Sequence, residues 1–248
     1  MKKIDIHKLT LSSVLIAIAL VLSTMSHMIY FSGGAGMRIG FSSYISVLPA
    51  FLFGPLWGGL TMGIMDVLAF VIKPEGGYLL PLTLTAIAGG VMRGALWKVL
   101  KGRKLPIIPC ICAFTMIFVW GVINSFAIGY ESSYGEFLRS FNAKSALFIH
   151  LPIIFSGLVI VFTIINHGLK KTKFHSDGFV PVLITLMIAN IAVTTANTFL
   201  LMAFIPSLSK LGFTVFYLPR LAEEIANTSM QAVVVSYLLK ISKRIIRN

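Results

Sequence analysis

The sequence predicts an all-α, polytopic membrane protein with about eight transmembrane helices. Apolar residues make up 57% of the 248 residues, charged residues only 12%, and the mean hydropathy is +0.91. Soluble domains carry about 25% charged residues, so a soluble fold is excluded. Eight apolar stretches follow one another along the chain. Most of them approach the about 20 residues that a helix needs to cross a bilayer.

Short polar segments separate the eight predicted spans. The spans are Leu9–Tyr30, Tyr44–Phe53, Gly58–Ile72, Leu79–Leu100, Ile107–Tyr130, Leu147–Gly168, Phe179–Phe204 and Val215–Ile241. The second and third are short and run together across Gly54-Pro55, so they could also form one broken helix. The longest outer segment, Glu131 to Ser145, is polar and is expected to form a short surface helix or a lid.

The distribution of basic residues favours eight spans over seven. With a cytoplasmic N-terminus and eight spans, fourteen lysines and arginines lie in inner segments and five in outer ones. This asymmetry follows the positive-inside rule, and with seven spans the later loops would change sides and weaken it. We therefore expect a multi-pass cell-membrane protein with both termini in the cytoplasm. The net charge of +13 then requires no nucleic-acid partner.

The sequence lacks the common signatures of enzymes and of bound cofactors. It contains no G-x-x-x-x-G-K-[ST] loop for ATP and no H-E-x-x-H motif, and its five histidines are scattered. Cys110 and Cys112 would point about 200° apart on one helix, which excludes a disulfide or a metal pair between them. No enzyme activity, cofactor or metal is expected. The start at Met1 is expected to lead into a retained helix and not a cleaved signal peptide.

A polar stripe on the last predicted span is the main functional feature. Its members fall at i, i+3, i+4, i+7 and i+11 of one helix: Arg220, Glu223, Glu224, Asn227 and Gln231. Such residues share one face about 100° wide, which must meet other helices or a wet cavity. The stripe could join helices by hydrogen bonds, or it could line a pocket. Arg220 could pair with Glu224 one turn further on.

Residues outside this stripe could complete such a pocket. On the seventh span, Asn190, Thr194 and Asn197 share one face, and two facing polar stripes suit a small pocket open to the outside. In the outer loops, arginine offers a fork for a carboxylate, and aromatic rings could stack on a flat ligand or anchor the chain at the interface. The predicted ligand-binding residues are Arg38, Phe41, Tyr78, Asn190, Asn197, Arg220, Glu223 and Asn227.

Three further features of the spans have simpler interpretations. Arg93 lies five residues before Lys98 and is expected to extend along its helix to the cytoplasmic interface. Asp66 lies midway along the third span. On the first span, Ser13 with Ala17 forms a small-xxx-small pair, as does Ala19 with Ser23. Such pairs let another helix approach closely.

Two blocks of the sequence resemble the substrate-capture subunit, or S component, of energy-coupling-factor (ECF) vitamin transporters, most closely the folate family. The first block, residues 8–100, contains Arg38-Ile39-Gly40-Phe41, Phe53-Gly54-Pro55-Leu56-Trp57-Gly58, Asp66, Pro74-Glu75-Gly76 and Leu82-Thr83-Leu84-Thr85-Ala86. The second, residues 181–240, contains Leu218-Pro219-Arg220-Leu221, but Glu223-Glu224 stand where the family usually has a base. Since such S components have six helices, the resemblance predicts one membrane domain, residues 1–248, with an inserted helical pair at 106–176.

The resemblance implies that the chain binds a vitamin from outside a bacterial cell membrane, with a folate-like molecule as first choice. The first helix would dock through Ser13 and Ala17 on a membrane T subunit, and two cytoplasmic ATPase subunits would drive uptake. A proton-coupled secondary transporter using Asp66 and Glu223 is one alternative. An intramembrane protease is another, although Thr228 stands where that family has arginine and no histidine follows.

Overall fold

The computed structural model describes residues 6–30, 36–74, 77–103, 108–127, 129, 131, 146–168, 178–209 and 213–247. The chain is an all-helical polytopic membrane protein, as predicted, and two short strands are the exception in these ranges. The surface helix or lid predicted for Glu131 to Ser145 falls almost wholly outside the described residues. That expectation therefore stays a prediction.

Ten helices and two strands make up the described part of the chain. In order they are α1 (Ile6–Thr24), β1 (His27–Tyr30), β2 (Gly36–Ile39), α2 (Ser42–Ser46), α3 (Leu48–Phe53), α4 (Pro55–Ile72), α5 (Leu80–Leu100), α6 (Ile108–Ala127), α7 (Ala146–Gly168), α8 (Phe179–Phe204), α9 (Pro206–Ser209) and α10 (Phe213–Arg247). Among these, α1, α4, α5 and α8 are long and apolar enough to cross a membrane by length and composition. With the α2–α3 pair, α6, α7 and α10, they follow the order of the eight predicted spans.

The segment between α1 and α2 contains a β-hairpin that the sequence did not predict. The first span was expected to continue to Tyr30, but α1 ends at Thr24 and β1 begins at His27. β1 pairs antiparallel with β2, from His27 opposite Ile39 to Tyr30 opposite Gly36. The β1 sequence, His-Met-Ile-Tyr, contains β-branched and aromatic residues that favour strands, which explains why the helix does not continue.

A glycine breaks the helix between α3 and α4. Gly54 has φ 96° and ψ −170°, a conformation that side-chain-bearing residues rarely adopt, and Pro55 follows as the first residue of α4. The two short spans are therefore separate helices joined by a single residue, which settles the question left open by the sequence.

Helices α4 and α5 approach each other through glycines. A Cβ placed on Gly90 would lie 2.2 Å from the carbonyl oxygen of Gly58, and one on Gly94 would lie 2.5 Å from Pro55 Cα. Such distances are far below van der Waals contact, so only glycine fits at these positions. The two backbones thus touch directly, as small residues permit in membrane helix pairs.

The remaining long helices pack in a continuous series. α5 packs on α8, α8 on α10, α10 on α7, and α7 on α6, while α1 lies against α2 and α4. The buried core joins α3, α5, α8 and α10 and includes Phe51, Trp97, Phe179, Leu183 and Val235. The short helices α2 and α3 also contact α10. This arrangement brings the polar faces of α5, α8 and α10 together.

Candidate functional site

Arg93 lies inside the bundle, which corrects the expectation that it reaches the cytoplasmic interface. Only 7% of its surface is exposed. Its Nε and Nη2 both donate to Asn190 Oδ1, over 3.0 and 2.7 Å. A buried amide oxygen on α8 therefore takes the place that water would have at the interface. The guanidinium joins α5 to α8.

Asn190 uses its whole amide group within the protein. While Oδ1 accepts from Arg93, Nδ2 donates to Thr228 Oγ1 over 2.8 Å and to Gln231 Oε1 over 2.9 Å. Gln231 Nε2 in turn donates to the carbonyl oxygen of Ser43, over 2.8 Å. Asn190 was predicted to bind ligand, but in this structure it links α5, α8 and α10.

Glu224 also turns toward the neighbouring helix and not toward Arg220. Its Oε2 accepts from Thr194 Oγ1 over 2.8 Å, and its Oε1 accepts from Thr228 Oγ1 over 3.2 Å. No hydrogen bond joins Arg220 to Glu224 among the described residues, although the two charges attract each other, and each carboxylate oxygen of Glu224 instead accepts from a threonine hydroxyl. Thr194 lies on α8, so this contact also joins the last two long helices.

Arg220 and Glu223 form the outer part of the stripe. The guanidinium carbon of Arg220 lies 5.1 Å from the ring centroid of Phe216, one turn earlier on α10. Arg220 Nε is buried without a hydrogen-bond partner among the described residues. Within that same part of the chain, the Glu223 carboxyl group makes no hydrogen bond. Arg220 and Glu223 thus attract each other, but in the described structure Arg220 Nε and the Glu223 carboxyl group keep hydrogen-bonding capacity that no protein group uses.

Asn227 connects the stripe to the start of α2. Tyr44 OH donates to Asn227 Oδ1 over 3.1 Å. The Tyr44 ring contacts the ring of Phe41 edge to face, with centroids 5.4 Å apart, and Phe41 is 60% exposed. Two predicted ligand residues, Phe41 and Asn227, are thus brought together through Tyr44, which the sequence reading did not name.

The stripe of α10 therefore divides into two parts with different roles. Its inner members, Glu224 and Gln231, join helices by hydrogen bonds, which is the structural alternative that the sequence left open. Its outer members, Arg220 and Glu223, keep unused polar atoms near Asn227. The ligand prediction now rests on this outer part.

Comparison with known proteins identifies the family. Residues 7–170 match the model of the family described as "ECF transporter, substrate-specific component", which is well over half of the chain. The chain belongs to this family of ECF S components. The family resemblance predicted from the sequence is confirmed.

Two relatives are folate transporters. This S component is 34% identical over 90 residues to the folate transporter FolT of Clostridium novyi (strain NT), a match that covers 34% of this chain and 52% of FolT. It thus spans about half the length of this curated relative. A crystal structure of FolT bound with folic acid is 23% identical, covering 59% of this chain and 86% of that one, with a TM-score of 0.34.

A second polar chain links α4 and α5 in this S component. Thr83 Oγ1 donates to Asp66 Oδ2 over 2.6 Å, and Tyr78 OH lies 2.7 Å from Thr83 Oγ1. Since the single Thr83 hydroxyl proton is given to Asp66, Tyr78 must donate to Thr83. The Tyr78 ring also contacts Phe70, with centroids 5.0 Å apart. These contacts hold Tyr78 against α4 and α5.

The other predicted residues have different surroundings. Asn197 Oδ1 accepts a short hydrogen bond from Thr85 Oγ1, which joins α8 to α5. Arg38 lies in β2, a strand that contacts α10, but its side chain is outside the described part of the structure. The structure thus connects Phe41 to Asn227 through Tyr44, and it ties Asn197 of α8 to Thr85 of α5 and Tyr78 to Thr83 of α5.

The first helix presents the predicted docking pair to its surroundings. Ser13 and Ala17 are exposed, and Ser13 Oγ donates to its own helix at Leu9 O over 2.9 Å. The second small pair differs, because Ala19 and Ser23 are buried and pack within the protein. Of the two small-residue pairs, Ser13 with Ala17 is the exposed one.

An apolar groove of about 630 Å³ lies elsewhere, between exposed side chains of α4 and α5. Exposed side chains such as Leu60, Val67 and Val91 line it. Nearly all of its lining is hydrocarbon, so it provides no partner for a polar ligand. It is distinct from the polar site on α10.

Sequence reasoning missed Arg93, Tyr44 and Thr83 as members of these networks. Gly89, one turn before Arg93, is no signal for it, because a Cβ there would meet Val193 Cγ2 at 2.6 Å but Arg93 Nη1 only at 3.4 Å, which is ordinary contact. The sequence contains no clear signal for any of these three residues, since their partners lie on other helices or in other segments of the chain.

Proposed function

We propose that this S component captures a folate-like vitamin from outside the cell and passes it inward when partner subunits hydrolyse ATP. The observation that carries the proposal is the outer end of α10. There Arg220 Nε is buried without a hydrogen-bond partner in the described structure, and the Glu223 carboxyl, whose charge attracts Arg220, makes no hydrogen bond in that part of the chain. A charged group left unsatisfied in a membrane helix is costly, and it is kept where a ligand or wet cavity uses it.

The chemistry of this region suits a flat, polar heterocycle. Phe41, which is mostly exposed, offers an aromatic face, and the buried Tyr44 ring supports it edge to face; exposed rings of this kind stack on planar ligands. The Glu223 carboxylate accepts hydrogen bonds from ring N–H or amino groups, as a pterin offers. Arginine side chains donate hydrogen bonds to carbonyl and carboxylate groups. Arg220, together with Arg38 on strand β2, would therefore suit a carbonyl group or a carboxylate tail of the ligand.

The family name of the matching relatives supports folate as the first ligand to test. FolT of Clostridium novyi is a folate transporter, and its matching segment is 34% identical to this chain. Two acids at Glu223 and Glu224 replace the base expected from the family pattern. Because Glu224 is used within the bundle, only Glu223 alters the ligand-facing charge.

The energy for uptake comes, in this proposal, from other subunits. The sequence contains no P-loop for ATP. The exposed Ser13 and Ala17 on α1 support close packing against a helix of a T subunit, which would connect this chain to two cytoplasmic ATPases. Both termini lie on the cytoplasmic side, as the basic residues favour.

Binding is tested on the purified chain in detergent by calorimetric titration with folic acid, riboflavin, thiamine and adenine. We expect saturable binding of folic acid, and weakening of at least tenfold in Arg220→Ala and in Glu223→Gln. Arg103→Gln and Glu131→Gln change exposed residues of the same types and should bind normally. Absence of binding to all four compounds would contradict the capture proposal.

Uptake into proteoliposomes separates this proposal from proton-coupled transport. With T and ATPase subunits present, uptake should require ATP and should be insensitive to a protonophore. Uptake by the chain alone, abolished by the protonophore and by Asp66→Asn, would instead favour the secondary transporter.

A further inference from the structure

We propose that Arg93 is a positioning residue: it holds the Glu224 carboxylate inside the bundle through Asn190 and Thr228, and so leaves Glu223 as the only glutamate of α10 that faces the ligand. The effect on the ligand rests on the proposed function. The connection between Arg93 and Glu224 does not, and it is tested without ligand below.

The connection is a chain of hydrogen bonds that all run in one direction. Arg93 donates twice to Asn190 Oδ1, over 3.0 and 2.7 Å. Asn190 Nδ2 donates to Thr228 Oγ1 over 2.8 Å, and Thr228 Oγ1 donates to Glu224 Oε1 over 3.2 Å. Each donor in the chain therefore points from the positive group toward the negative group, so each bond polarises the next.

The two charges at the ends of this chain belong together. In the hydrogen bonds of the described residues, the buried guanidinium of Arg93 contacts an amide and not a carboxylate. Through the hydrogen-bonded chain, Arg93 is linked to Glu224, whose charge attracts it; Glu224 also attracts Arg220, though less than Glu223 does. A buried charge needs compensation, and removing one partner of such a pair leaves the other uncompensated. Arg93 and Glu224 thus form an ion pair that is bridged by two neutral side chains.

This arrangement separates two neighbouring acids. Glu223 and Glu224 are adjacent, so their side chains leave α10 about 100° apart. Both oxygens of Glu224 are occupied, by Thr194 and Thr228, whereas Glu223 has no hydrogen bond in the described part of the chain. Without Arg93, the attraction that holds Glu224 inward is lost, and a second carboxylate becomes free beside the ligand.

Four variants test the connection through thermal unfolding in detergent, without added ligand. Arg93→Gln and Glu224→Gln should each lower the unfolding midpoint by roughly 10 °C, because each leaves one buried charge unpaired. The double variant Arg93→Gln/Glu224→Gln should recover most of that loss. The matched control Arg93→Gln/Glu223→Gln should not recover. Equal, additive losses in both double variants would overturn the proposal.

Binding of folic acid then tests the positioning role. Arg93→Gln should weaken binding at least tenfold, and Arg93→Gln/Glu224→Gln should return it to within about threefold of the wild type. Arg93→Lys keeps the charge but cannot donate twice to one oxygen with the same geometry, so its affinity should be intermediate. If the stability cycle shows rescue but binding is unchanged throughout, the positioning role is wrong. If the wild type binds no folate, the proposed ligand is wrong while the cycle still decides the connection.

Discussion

The close contact between α4 and α5 predicts that adding a side chain at Gly90 destabilises the protein. In Gly90→Ala, the new Cβ would lie 2.2 Å from Gly58 O, 2.6 Å from Gly58 C and 2.9 Å from Gly59 N. All three atoms are backbone, so no side chain can rotate away. Since carbon and oxygen need about 3.5 Å, the helices must separate locally by on the order of 1 Å.

Two opposing free-energy contributions determine how much Gly90→Ala changes the stability. Alanine in a helix interior is favoured over glycine by about 1 kcal/mol. Overpacking against a fixed neighbour costs up to about 3 kcal/mol. The net loss of about 2 kcal/mol should lower the unfolding midpoint of a chain of this size by roughly 4–8 °C. Tryptophan fluorescence of the detergent-purified protein during heating measures this midpoint.

Gly157, on α7, provides a control substitution that should not destabilise the protein. A Cβ on Gly157 would meet Phe118 Cε2 at 3.5 Å, which is ordinary contact. Gly157→Ala should therefore leave stability unchanged or raise it by up to about 1 kcal/mol. If Gly90→Ala unfolds at the same temperature as Gly157→Ala, α4 and α5 are not packed as closely as the structure describes.

Three further predictions concern side chains. Tyr44→Phe removes the hydrogen bond to Asn227 and should destabilise the protein by about 1 kcal/mol; the same loss should be absent when Asn227 is already alanine, measured as a double-mutant cycle in thermal unfolding. Thr83→Val should cost about 1–2 kcal/mol, because the Asp66 carboxylate loses its donor; the same assay measures it. Ala17→Leu should leave folic acid affinity unchanged but reduce ATP-driven uptake at least tenfold, because a bulky side chain blocks close approach of a T-subunit helix.

Each of these predictions has a comparison that can contradict it. In the described part of the chain, Thr115 donates to its own helix at Ile111 O and bonds no carboxylate, so Thr115→Val should cost less than Thr83→Val. Val14 is an exposed residue three positions before Ala17 on α1. If Val14→Leu reduces ATP-driven uptake as strongly as Ala17→Leu does, then the loss does not depend on the Ser13–Ala17 pair. Additive losses in the Tyr44 and Asn227 cycle would show that these two side chains act separately.

Much of the helical framework follows from hydropathy. The span predicted at Phe179–Phe204 coincides with α8, and Leu79–Leu100 differs from α5 by one residue. Apolar length and flanking polar residues are local properties, so the sequence contains them directly. The hairpin at His27–Ile39 was missed because its four-residue strands are shorter than any window that detects a span.

The candidate site was predicted less completely, since periodicity identifies a face but not the neighbour it meets. The stripe on α10 was correctly placed on one face, yet its inner and outer parts differ. Glu224 could pair with Arg220 by spacing alone, but two threonines hold it instead. Arg93 was placed at the interface from its distance to Lys98, because the sequence does not reveal Asn190 on a distant helix as its partner.

The short connection between α1 and the hairpin has a mechanical consequence. Only two residues separate Thr24 from His27, and Ser26 is fixed by bonds from its N and Oγ to Ser23 O, over 3.1 and 2.6 Å. We therefore expect a tilt of α1 in the bilayer to be transmitted to β1 and, through the paired strands, to β2, which contacts α10. Docking of another subunit on Ser13 and Ala17, as proposed, would then shift the hairpin against α10.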